Sequence, residues 1–140
     1  MVMEVAVVKG VVAQIVALAE ESTDEICGLL FGKPDRITEI APCRNVATNP
    51  DRRFEIDPGA LIAAHRAART GGPAIVGHYH SHPSGDPVPS PRDAEAAIDE
   101  GAIWLIVASG RVRAWRAITG GSVEQRFDEM VIVESGVEPG

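Results

Sequence analysis

Apolar residues along this chain come in short runs, and the spacing inside each run predicts the element it forms. Met3 to Val8 is brief, partly alternating and β-prone, which predicts a first strand. Val12, Ile15, Val16 and Ala19 then recur at helical spacing across Gly10 to Ala19. Ile26 to Phe31 is a continuous apolar run stopped by Gly32-Lys33-Pro34, and Arg36 to Pro42 pairs with it naturally as a hairpin. The polar stretch Asn45 to Arg53 predicts a surface loop, followed by a short extended piece, Phe54 to Ile56. Asp57-Pro58 then supply an N-cap and a first-turn proline for an alanine-rich helix, Pro58 to Thr70, stopped by Gly71-Gly72.

Ala74-Ile75-Val76 opens a buried strand that runs through Gly77-His78-Tyr79-His80-Ser81-His82 to Pro83. A turn-rich stretch leads to a helix from Pro91 to about Glu100. Ile103 to Ala108, Val112 to Ile118 and Val123 to about Val133 read as strands joined at Ser109-Gly110 and Gly120-Gly121. This order predicts an α/β protein of the α+β type, with a mixed, mostly antiparallel sheet flanked by helices. One domain is expected over 1–134, with a flexible tail over 135–140.

Composition narrows the function. Apolar content of 45% with 24% charged residues fits an ordinary globular domain. A net charge of −7 argues against nucleic acid or an anionic membrane as partner. No apolar run approaches a membrane span, and no signal-peptide pattern opens the chain. Cys27 and Cys43 form no CxxC pair, so the expected setting is cytoplasmic.

The chemistry concentrates at the end of the central strand. Alternate residues of a strand share a face, so His80 and His82 point the same way, roughly 6–7 Å apart along the backbone. Asp93 stands in the first turn of the next helix, where its carboxylate could close a third side of one metal ion. Two histidines, one carboxylate and an open position make a catalytic zinc arrangement, because structural zinc sites fill all four positions. Ser90 and Asp93 taken by themselves fit a capping box better than a metal site, with Ser90 at N-cap and Asp93 at N3. Hydrolysis at zinc also needs a base that is not a ligand, to take a proton from water and hand it to the leaving amine. Glu25, just before the apolar strand, is the best candidate, although its local sequence also suits a solvated loop carboxylate beside Asp24. Cys27, Trp104 and Trp115 read as packing residues, and His65 is assigned no function.

Glu25-Ile26-Cys27-Gly28-Leu29-Leu30-Phe31-Gly32, then His80-Ser81-His82-Pro83, six residues, and Ser90-x-x-Asp93 together resemble the signature of the JAMM (MPN-plus) metalloproteases. Asn45-Val46-Ala47 and Phe54 to Pro58 are similar to the small bacterial members. The resemblance implies a JAMM/cytidine-deaminase-like architecture and one Zn²⁺ per chain held by His80, His82 and Asp93. It implies Glu25 as general base and then acid, and Ser90 as donor to the developing oxyanion. His78 departs from the family pattern, in which an apolar or aromatic residue is common there. His78 is expected to pack or, with Ser81, to support the ligands, since strand length sets it about 13 Å from His82.

The activity implied is a peptidase or isopeptidase that cuts after the C-terminal glycine of a ubiquitin-like or sulfur-carrier protein, in some members releasing cysteine or another adduct. Its partner carries a C-terminal Gly-Gly tail, expected to bind extended at a sheet edge. The oligomeric state stays open, a dimer among the options. The rival reading is a non-catalytic MPN-type scaffold, a protein-binding module that has lost its ligands.

Overall fold

The computed structural model describes residues 3–136. Among the described residues, seven strands and three helices follow in order: β1 (Glu4–Val8), α1 (Val11–Glu20), β2 (Cys27–Lys33), β3 (Arg36–Cys43), α2 (Pro58–Arg69), β4 (Ile75–Ser81), α3 (Pro91–Ala96), β5 (Ile103–Ala108), β6 (Arg111–Ala117) and β7 (Phe127–Ser135). The α+β reading holds, with a correction to the sheet. The strands close on themselves in the order β1-β3-β2-β4-β5-β6-β7, so they form a barrel and not an open sheet flanked by helices. Pairing is mixed: β1–β3, β1–β7 and β4–β5 are parallel, and the other four neighbours are antiparallel. Closure requires β7 to return beside β1, a pairing between the two ends of the chain that no local pattern announces.

Alternation along each strand divides the core in two. Val5, Val7, Leu30, Ile37, Tyr79, Leu105, Ala114 and Met130, from all seven strands, meet in one cluster with Val11 and Ile15 of α1. The helix therefore contributes its apolar stripe to the interior. The opposite face of β5 and β6 carries Trp104, Ile106 and Trp115, which pack with Phe127 and Ala97 in a second cluster. Both tryptophans are buried packing residues, as is Cys27. α2 buries none of its residues.

Two boundaries differ from expectation. α3 stops at Ala96 because Ala97 leaves the helix: its side chain enters the second cluster, and its carbonyl accepts a 2.6 Å hydrogen bond from Arg126 Nε. The last strand starts at Phe127, since Glu124 and Gln125 take left-handed φ values of 52° and 54° in a turn. It also runs on to Ser135, which pairs with Val8, so residue 135 belongs to the sheet and not to a tail. Residues 137–140 lie outside the described residues. Among the described residues no helix is long and apolar enough to cross a membrane.

Candidate metal centre and cleft

β4 delivers the histidines. Gly77, His78, Tyr79, His80 and Ser81 lie in parallel register beside Ile103 to Val107 of β5. Tyr79 turns inward to the main core, so His78 and His80 turn outward on the face that bears Trp104. His82 follows just past the strand end, held by its backbone N–H on the Val107 carbonyl at 2.9 Å. Asp93 reaches the same place from α3, where Ser90 and Asp93 form the capping box. Ser90 Oγ accepts from the Asp93 N–H at 3.1 Å, while Asp93 Oδ2 accepts from the Ser90 N–H at 2.9 Å. That capping box folds the carboxylate back along α3 and aims it at the histidines.

The ring nitrogens and the carboxylate converge. His80 Nε2 and His82 Nε2 are 3.1 Å apart, with Asp93 Oδ1 3.3 Å from the first and Oδ2 3.2 Å from the second. One donor atom from each residue lies within 4.8 Å of the others. His82 Nδ1 donates to the Asp86 carbonyl at 2.8 Å, which leaves Nε2 as a lone pair facing the trio. Two imidazole lone pairs at such a separation repel unless a proton or a cation lies between them. The donor set, two imidazoles and a carboxylate, is that of a divalent metal with zinc preference. The residues therefore fit a metal ion.

Charge in the metal-free trio follows from burial and pairing. Burial alone would raise Asp93, but hydrogen bonds from His80 and His82 hold its carboxyl far below the ordinary carboxylate range. Burial pushes His80 down and keeps it neutral against the pull of Asp93. Burial likewise opposes charge on His82, yet Asp93 and the Asp86 carbonyl raise it above its ordinary value.

Glu25 shares this cleft. It lines a cavity of ≈ 980 Å³ together with His82, Ser90, Arg92, Asp93 and Phe54, a volume within the range of ligand sites. Glu25 is 8% exposed, and burial pushes its carboxyl up to about 7, with His82 opposing and Asp93 adding to the rise. It is no solvated loop carboxylate.

Ser81, expected in support, is buried between the histidines in sequence, and its Oγ accepts from the Ile26 N–H at 2.9 Å. One serine thus ties the segment bearing Glu25 to the strand bearing the histidines. His78 stands apart from the metal-competent group. Its ring meets Trp104 edge-on at 4.1 Å and His80 at 5.7 Å, and burial lowers it to about 3, so it packs as a neutral ring.

Two contributors lie in segments that carried the resemblance but were given no role from the sequence. Phe54 stacks on His80 with centroids 4.4 Å apart. Asn45 bonds to the carbonyl of Glu25 at 2.9 Å. The bond from Ala47 N–H to Asn45 Oδ1 is an Asx turn, a local signal legible in sequence. The long-range partners of that amide are not.

An α+β barrel with a His-His-Asp centre and a buried glutamate in one cleft defines a metallohydrolase class of site. The family model for prokaryotic homologs of the JAB domain matches residues 8–118, and the chain belongs to that family. It is 41% identical over 93 residues to a desampylase of Haloferax volcanii, covering 64% of this chain and 67% of that protein. It is 36% identical over 102 residues to a desampylase of Pyrococcus furiosus, covering 72% of each. The solution structure of a protein from Desulfitobacterium hafniense shares the fold with a TM-score of 0.77 at 24% identity, over 94% of this chain and 93% of that one.

Proposed function

We infer that the protein is a zinc-dependent peptidase or isopeptidase that hydrolyses the bond after the C-terminal glycine of a ubiquitin-like or sulfur-carrier protein. Family membership and the activity named for its desampylase relatives support the reaction class. The observation that carries it is the buried Glu25 carboxylate in the same cleft as His82 and Asp93, whose donor atoms converge with that of His80. In this reading His80, His82 and Asp93 hold one zinc ion per chain, and the centre lies in a single catalytic domain. Bound zinc would supply Lewis acidity, polarising a carbonyl oxygen and acidifying water.

The chain's own groups do the rest. Glu25 takes a proton from water and returns it to the leaving amine, a task suited to a carboxyl raised toward neutral pH. Ser90 Oγ accepts from Asp93 N–H, which leaves its own proton free to be donated to a developing oxyanion in the cleft. Phe54 covers one face of His80 and excludes water from it. The partner is a carrier with a C-terminal Gly-Gly tail, reaching the centre extended through the cleft. The free thiols Cys27 and Cys43 suit a reducing, cytoplasmic compartment.

The test is incubation of the zinc-loaded protein with a sulfur-carrier protein joined through its Gly-Gly terminus to a lysine or to cysteine, read by intact mass. Cleavage is expected after the last glycine. Glu25→Gln should retain one zinc per chain and cleave nothing. Intact conjugate after prolonged incubation with the wild type, or unchanged cleavage by Glu25→Gln, would overturn the reading.

A further inference from the structure

We propose that Asn45 is a positioning residue that sets Glu25 and the Arg53–Phe54 wall of the cleft as one unit; the proposal rests on the peptidase reading above. An asparagine amide offers two N–H donors and two acceptor lone pairs. Here all four are used. Nδ2 donates to the Glu25 carbonyl at 2.9 Å and to the Arg53 carbonyl at 3.0 Å, with a longer approach to the Pro50 carbonyl at 3.4 Å. Oδ1 accepts from Ala47 N–H at 3.0 Å and from Glu55 N–H at 3.1 Å. Carbonyls on one side and N–H groups on the other fix which way the amide points.

The partners of this one side chain come from both walls of the cleft. Glu25 belongs to the segment between α1 and β2. Arg53 and Glu55 flank Phe54, the ring that stacks on His80. Backbone bonds close the same knot: Glu25 N–H to the Pro50 carbonyl at 2.7 Å and Val46 N–H to the Glu55 carbonyl at 2.9 Å. On its other side the Glu25 segment is held through Ile26, whose N–H reaches Ser81 Oγ. Glu25 is therefore suspended between two anchors, the histidine strand and the Asn45 strap. Ser81 fixes its distance from the metal-competent trio, and Asn45 fixes its relation to the Phe54 wall.

No other side chain of this length supplies both donors and acceptors. An aspartate would set a carboxylate against two carbonyl oxygens, and an alanine would leave the Glu25 and Arg53 carbonyls without their donor. A base displaced by a fraction of an ångström loses much of its effect, because proton transfer requires hydrogen-bond reach.

The experiment compares wild type with Asn45→Ala and Asn45→Asp, each zinc-loaded, on a carrier conjugate, with kcat and KM measured separately and zinc counted. In parallel, the Glu25 carboxyl is titrated by carbon-detected NMR in the metal-free proteins. The expected result is one zinc per chain and kcat about 10- to 100-fold lower in both variants. The Glu25 titration should move from about 7 toward its ordinary 4.5 as the strap loosens. An unchanged kcat with an unchanged Glu25 titration overturns the proposal, as does a loss confined to zinc content. If Asn45→Ala does not fold, Asn45→Asp and Asn45→Ser carry the comparison, and failure of all three to fold assigns Asn45 a structural role instead. Should the wild type itself cleave nothing, the peptidase reading fails, while the titration still decides whether Asn45 governs Glu25.

Discussion

Glu25 is costly to the fold in the state that would make it useful. Its ordinary value is 4.5, and burial raises it to about 7 in the metal-free protein. Below pH 4.5 the carboxyl is protonated folded or unfolded, and stability does not depend on it. Between 4.5 and about 7 the folded state binds the proton more tightly, so stability falls as pH rises through that window. Above it the folded protein carries the whole penalty. Glu25→Gln removes the charge while keeping the shape. The metal-free variant is expected to melt with wild type at pH 5 and clearly above it at pH 8. The difference between the two proteins reads Glu25 together with its coupling to His82. Equal melting temperatures at pH 8 would mean that the carboxylate is well solvated there, and with it the case for a poised base would go. Gain of stability on disabling an active-site group is the usual direction of the trade between stability and function.

At the scale of the element, α3 has only six residues, and its value lies in its first turn. Asp93→Asn can keep the reach back to Ser90 N–H but offers the histidines a neutral oxygen. It should retain its circular dichroism spectrum and lose zinc by elemental analysis. Ser90→Ala should do the reverse, keeping zinc and losing about 10²–10³-fold in kcat. A zinc-replete Asp93→Asn would leave Asp93 as a cap alone. These elements also mark what could be read without coordinates. The α2 start at Asp57-Pro58, the β4 run and the Ser90–Asp93 box are local patterns, and each lies where its residues put it. The end of α3 was unreadable because Arg126, 29 residues away, takes the Ala97 carbonyl. The start of β7 was unreadable because two non-glycine residues adopt left-handed φ. The metal trio was legible through its spacing, whereas the neighbourhood of Glu25 depends on Asn45 and Ser81, whose partners are remote in sequence.

For the whole molecule, closing the barrel changes how a tail can bind. Every named strand has a neighbour on both sides, yet β1 covers only Arg36 and Ile37 of β3, so Thr38 to Cys43 keep an outer side that no named strand pairs, and an incoming extended tail is expected to add there rather than along a full open edge. The same closure distributes stability unevenly. β5 buries all six of its residues between the two cores and pairs along its length with β4 and β6. The seam between β1 and β3 is short, with only Ala6 opposite Arg36 and Val7 opposite Ile37. Local opening follows the weakest pairing and the least burial, so the barrel should breathe at that seam while the β4–β5 ladder stays shut. This matters for the centre, because His80 lies on β4 and His82 is pinned to Val107 of β5, both on the ladder that opens last. Hydrogen exchange of the metal-free protein, read by mass spectrometry, should show Ile75–Ser81 and Ile103–Ala108 as the slowest segments and Arg36–Ile40 as the fastest among the strands. If β4 and β5 exchanged first, the histidine pair would not be preorganised, and metal binding would have to assemble the site rather than enter it.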